Sequence, residues 1–252
     1  VASVAPPVVV DRAPVGPQRA VDLSGAFNDR IDAIFQPGKY RSPRSPFVSL
    51  ALPSQGLGAW AGHVNATATI DDGGLRRAAK AANGWFSLPD GGRFRTPAEG
   101  PNALFVSQWD AYPDSRTVPL TGRGRFLRLL MTGSTNPMQS RIDNGEVVVT
   151  YADGGTARLA LRNPTTWWPI ERDYLIDDYQ FRVPGPRPLR VDLATGQVRT
   201  GGASVEQVDG GAATVLGLPL DPHRPLRSLT VRARANDVVI GLLAATIEEE
   251  GR

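Results

Sequence analysis

The stretch from Glu146 to Leu161 limits the possible folds more tightly than any other part of this chain. Glu146-Val-Val-Val-Thr-Tyr151 and Thr156-Ala-Arg-Leu-Ala-Leu161 are β-branched or alternating runs separated by Ala152-Asp-Gly-Gly155. So short a Gly-rich connection returns the chain antiparallel to itself, which predicts a β-hairpin. A period of two residues puts alternate side chains on opposite faces, so one face of the hairpin must be covered.

Period-two or continuously apolar runs recur along the rest of the chain. Phe47–Leu52 lies between Pro46 and Pro53, and Ala66–Ile70 stops at Asp71-Asp-Gly-Gly74. Asn102–Trp109 and Arg125–Met131 have the apolar content of strands buried on both faces. Ala212–Leu218 is a further apolar run. Leu226–Arg234 sets Leu229, Val231 and Ala233 opposite Thr230, Arg232 and Arg234, and Val238–Ile247 reads as a central strand. Leu75–Ala82 has helix-forming composition over about two turns and is expected on the surface. With 27 glycines and 22 prolines marking turns, the expectation is an all-β, two-sheet jelly-roll sandwich with very little helix. Residues 1–21 read as a Pro/Val-rich linker or extended N-terminal segment, 22–248 as a single sandwich, and 249–252 as a tail.

Composition excludes several chemistries. The absence of cysteine removes disulfides, thiolate metal sites and thiol nucleophiles. Net charge is only +3, and all but two of the 28 basic residues (Lys39 and Lys80) are arginines, which lifts the pI to about 9.6. These charges are scattered, with no Arg-rich helix or aromatic nucleic-acid motif, which argues against a nucleic-acid partner. No apolar run approaches the roughly 20 residues of a membrane span. Gly-x-Ser-x-Gly elbows and phosphate-cradling glycine loops are missing, and His63 and His223 form no zinc-type pair.

Candidate site residues cluster around aromatic and acidic loops. Trp167 and Trp168, between Pro164 and Pro169, fall on a loop after a strand, where an exposed indole stacks on a sugar ring and Asp173, Asp177 and Asp178 accept from its hydroxyls. The alternative is packing, one Trp plugging the sandwich and the other meeting a neighbouring domain. Trp109, Asp110, Tyr112 and Asp114 form a second cluster, either a pocket rim or the end of a core strand. Trp60 and His63 share a Gly-rich loop, and Arg41-Ser-Pro-Arg-Ser-Pro46 offers guanidinium forks to an acidic sugar or anchors a turn. Structural calcium is the one cofactor considered, with Asp71 and Asp72, or Asp173 with Asp177 and Asp178, as oxygen donors. Catalysis needs two carboxylates roughly 5–9.5 Å apart, and Asp110 with Glu171 or Asp173 is the alternative pair.

Six segments, Phe27–Ile31, Tyr40–Pro46, Gln108–Asp114, Gly133–Gln139, Trp167–Ile170 and Asn236–Gly241, occur in this order in a bacterial family. The chain thereby resembles the C-terminal β-sandwich of large, uncharacterised glycoside-hydrolase-like secreted proteins, and more loosely galactose-binding-like jelly rolls through Tyr151-Ala-Asp-Gly154. The resemblance implies a secreted or periplasmic setting, a catalytic domain in the same or an associated polypeptide, and a polysaccharide or oligosaccharide partner. It supplies no catalytic residue.

Overall fold

A computed structural model describes residues 12–34, 69–108, 112–135, 141–163, 165–173, 176–177, 181–182, 188–199, 206–235 and 238–250. In chain order the first strands are β1 (Gln18–Ala20), β2 (Trp85–Ser87), β3 (Arg93–Arg95), β4 (Leu104–Ser107), β5 (Ser115–Pro119), β6 (Phe126–Ser134), β7 (Asp143–Tyr151) and β8 (Thr156–Arg162). They are followed by β9 (Arg172–Asp173), β10 (Ile176–Asp177), β11 (Phe181–Arg182), β12 (Leu189–Asp192), β13 (Glu206–Gln207), β14 (Ala212–Pro219), β15 (Leu226–Ala233) and β16 (Val239–Glu248). Helix α1 spans Gly73–Ala81, and among the described residues no helix is long and apolar enough to cross a membrane. The expected strand at Phe47–Leu52 lies outside the described residues, as do the first three residues of Ala66–Ile70.

Two antiparallel sheets carry the architecture. The larger runs β1-β16-β6-β14-β12, with β4 also pairing to β16, and the smaller runs β5-β15-β7-β8. The hairpin expected from the sequence is β7–β8, with Val147 opposite Leu159 and Val149 opposite Ala157. Its turn closes through Gly154 at φ 88, a left-handed conformation that glycine adopts without steric cost. Gln18–Ala20, inside the stretch read as linker or extended segment, forms a strand on the edge of β16.

Strand β6 shows why the larger sheet is so apolar. Leu127, Leu129 and Met131 point between the sheets and meet Val147, Val149, Leu159, Leu229 and Val231 of the smaller sheet. Leu130 points the other way, into a second core with Leu75 of α1, Phe86 of β2, Phe94 of β3 and Phe105 of β4. Both faces of this sheet are therefore buried, and the usual polar face of an antiparallel strand is lost. Helix α1, expected at the surface, is the lid of the second core, with Leu75 and Ala79 fully buried.

The arginines sort by the same logic. Arg128, on the second-core side of β6, reaches Asp90 in the β2–β3 turn at 2.6 Å and pins that hairpin to the sheet. Burial pushes the Asp90 carboxyl up, but its bonds from Arg128 and the Gly92 N–H outweigh this and hold it below the usual range. On the outer face of the smaller sheet, Glu146 accepts from Arg158 and Arg234 while Asp143 accepts from Arg158 and Arg162. Such cross-strand pairs tie several of the scattered arginines to carboxylates.

Gly133 sits where the backbone of β16 and the Trp167 ring both crowd β6. A Cβ there would collide with the Val239 carbonyl oxygen and lie 2.7 Å from Trp167 Cζ2. Gly133→Ala is expected to destabilise the protein by roughly 1–3 kcal/mol, the cost of overpacking a core, measured as a lower urea midpoint with an unchanged m-value.

Candidate functional site

The loop after β8 decides the fate of the tryptophan pair. Asn163 donates to the Trp167 carbonyl, the Thr166 and Trp167 N–H groups donate to the Arg162 carbonyl, and Ile170 N–H donates to the Gly133 carbonyl. These bonds fold the loop back over the open end of the sandwich. Trp167 is 0% exposed within the inter-sheet core and Trp168 is 2% exposed. The expectation that this pair faces solvent is therefore corrected: the segment carrying it is turned inward, and neither indole face is open to a sugar.

Asp173 is likewise occupied. Its carboxylate accepts from Arg190 Nε at 3.0 Å and from Arg199 Nε at 2.8 Å. Arg190 also donates to Thr214 Oγ1, the Pro169 carbonyl and the Arg172 carbonyl, and its guanidinium lies 5.6 Å from the Trp168 ring centroid. Burial draws the Arg190 guanidinium below its ordinary pKa, with Asp173 opposing that shift. Asp173 is thus the counter-ion of a buried arginine rather than a ligand for sugar or calcium, a second correction. Asp177 lies on β10, with its side chain outside the described set, and Asp178 lies outside it altogether.

Tyr112 is buried, packs 5.3 Å from Phe105 and donates its hydroxyl to Asp29, so it belongs to the second core and not to a pocket rim. Trp109, Asp110, Trp60, His63 and the Arg41–Pro46 segment lie outside the described residues. Asp71 accepts from the Gly73 N–H at the start of α1, and the buried Asp72 accepts from Arg76 and Asn102. Both proposed calcium donors thus serve the helix start. Among the described residues no group of three or more His, Asp or Glu side chains converges to hold a metal ion.

Two hollows remain. The first, of about 490 Å³, lies between the β1 exit and the β3 exit and is lined by Asp22, Phe27, Gly84, Arg95, Thr96 and Pro97, among others. Phe27 is half-buried, packed against the main core on one side. The exposed Arg95 forms no ion pair among the described residues. Thr96 Oγ1 is buried without a hydrogen-bond partner. The Asp22 carboxylate accepts from the Ser24 N–H and hydroxyl, which hold it below the usual carboxylate range.

The second hollow, of about 480 Å³, lies where the short β9–β13 pair meets the Ile70–Gly210 bridge and includes Thr69, Asp71, Glu171, Gln207 and Asp209 in its lining. Glu171 is fixed there because its carbonyl accepts from Val208 N–H, while Ile170 before it accepts from Ala212 N–H. Its side chain is 7% exposed, and Oε2 has no hydrogen-bond partner. Burial pushes this carboxyl up to about 7, against the pull of its own backbone N–H and the charges of Arg172 and Arg190. Of the alternative catalytic pair, Glu171 has the raised pKa an acid requires, and Asp110 is outside the described set.

The sequence singled out the aromatic doublet and missed the Phe27 hollow. Its one available signal was the placement of Phe27 and Arg95 beside turn residues, which spacing alone does not bring together. No protein family matches the chain by sequence profile, and no curated protein matches it significantly.

Two measurements test this geometry. Removing one partner of the buried Arg190–Asp173 pair by Asp173→Ala is expected to cost roughly 3–5 kcal/mol in urea unfolding, more than the double variant Asp173→Leu/Arg190→Met, which leaves no uncompensated charge. Glu171 binds its proton more tightly folded than unfolded, so its contribution is full below about pH 4.5 and is lost as pH rises through about 7. Stability is expected to fall by roughly 3 kcal/mol across that window, and Glu171→Gln should remove most of the slope.

Proposed function

We propose that this chain is a non-catalytic accessory β-sandwich of a bacterial, secreted or periplasmic carbohydrate-active enzyme, and that it holds saccharide in the Phe27 hollow. The observation that carries this reading is the composition of that hollow. A half-buried aromatic side chain sits beside the exposed Arg95 guanidinium, a carboxylate and a buried hydroxyl in a concavity large enough for one or two sugar rings. Sugar rings present weakly polar C–H faces and a girdle of hydroxyls. An aromatic side chain meets the first by dispersion, while Arg95, Asp22 and Thr96 exchange hydrogen bonds with the second.

The resemblance to glycoside-hydrolase-associated sandwiches points the same way, and the all-β, two-sheet architecture is compatible with it. Within this reading the stacking role passes from the buried Trp167 and Trp168 to Phe27.

Affinity electrophoresis of the purified chain through a panel of polysaccharide gels tests the proposal. Retention by at least one glycan is expected, with Phe27→Ala and Arg95→Ala each weakening it about tenfold, which corresponds to roughly 1.4 kcal/mol. Retention unchanged in both variants, or no retention on any glycan, would remove the binding role. Release of reducing sugar by the chain itself would remove the word non-catalytic.

A further inference from the structure

The Glu171 hollow is separate from the Phe27 hollow and is lined by different residues. Most described carboxylates in this protein are matched by arginines, as Asp90, Asp143, Glu146, Asp153 and Asp173 show. The lining of this hollow departs from that pattern. It contains Asp71, Glu171 and Asp209 and no arginine or lysine.

The basic groups around it are committed elsewhere or sit at its edge. Arg190 is spent on Asp173, Thr214 and two carbonyls, and Arg77 donates to the Ala194 carbonyl at the rim. Arg172, outside the lining, bears on Glu171 through its charge. Asp209 is exposed, and Asp71 accepts from the Gly73 N–H.

Glu171 supplies the second, independent observation. Its carboxyl is more than nine-tenths buried, lines the hollow, and leaves Oε2 without a donor. An unmet buried carboxyl oxygen is costly, and a charged N–H donor satisfies both its lone pair and its charge. Gln207 and Thr69 add further acceptor oxygens at the wall. An ammonium group carries several donors and no acceptor, the complement of this lining. A neutral hydroxyl offers a single donor and leaves the carboxylates uncompensated.

We propose that the hollow around Glu171, Asp71 and Asp209 is a binding site for a small ligand bearing a primary ammonium group. Glu171 Oε2 accepts from the ammonium at the floor, and Asp209 and Asp71 surround it at the mouth. The ammonium is held on an amino sugar or on an aliphatic polyamine, and the two sources share the chemistry that the site reads.

Isothermal titration of the full chain at pH 7, where the Glu171 carboxyl is ionised in about half of the free protein, tests it with three probes: fully deacetylated chitotriose, its fully N-acetylated counterpart, and spermidine. The expected result is that at least one amine binds ten times or more tightly than the acetylated trisaccharide. Binding of chitotriose alone assigns the source to amino sugars, and binding of spermidine alone assigns it to polyamines; either supports the site. Glu171→Gln and Asp209→Asn are each expected to weaken the amine tenfold, with unchanged far-ultraviolet circular dichroism, while Phe27→Ala leaves spermidine affinity unaltered. Equal affinity for the acetylated probe, no binding of either amine, or amine binding indifferent to both carboxyl variants would overturn the proposal. Should Glu171→Gln fail to fold, Asp209→Asn, at an exposed position, decides the matter alone.

Discussion

Burial of the larger sheet on both faces is the constraint from which the rest of this structure follows. Strand β6 sends Leu127, Leu129 and Met131 to one core and Leu130 to the other. A sandwich with only one inner face needs no cover on its outside, but this one needs α1, the β2–β3 hairpin and the Ile31–Ala33 turn. Those covering elements create the edges at which the hollows form. The Phe27 hollow lies where the chain leaves β1 and β3, and the Glu171 hollow lies where the segment preceding α1 meets the β13–β14 turn.

The loop carrying Trp167 and Trp168 shows how a packing demand displaces a functional expectation. An indole is the largest apolar side chain available, and the open end of a sandwich is a large void to fill. Gly133 on β6 leaves space for the Trp167 ring, and Arg190 lies under Trp168. Once both rings are inside, the polar groups near them must be satisfied internally, and Asp173 becomes the counter-ion of Arg190. Glu171, two residues earlier, has no such partner for Oε2, and its burial raises its pKa.

Much of the strand framework was legible in the sequence. The β7–β8 hairpin, the doubly buried β4 and β6, the one-sided β15 and the central β16 all follow from periodicity of apolar residues, a local signal. The helix was legible as an element but not as a lid, because Leu75 and Ala79 reveal their burial only when the sheet beneath them exists. The candidate site was far less legible. Aromatic and acidic residues on a Pro-flanked loop look alike whether the loop turns outward or inward, so the sequence leaves ligand contact and packing both open for Trp167, Trp168 and Tyr112, and the fold decides for packing, with Asp173 an ion-pair residue.

What the sequence determined by itself was the class of fold and the chemistry it lacks: period-two runs with Gly and Pro turns specify strands, and a chain without cysteine has no thiol chemistry. Tertiary structure alone decided which carboxyls are paired and which are left facing a hollow. Asp22 with Arg95, or Asp71 with Glu171 and Asp209, come from segments 70 or more residues apart, or from loops on different strands. Their proximity depends on sheet order and loop direction, which are set by the sum of many long-range contacts and leave no mark in local spacing.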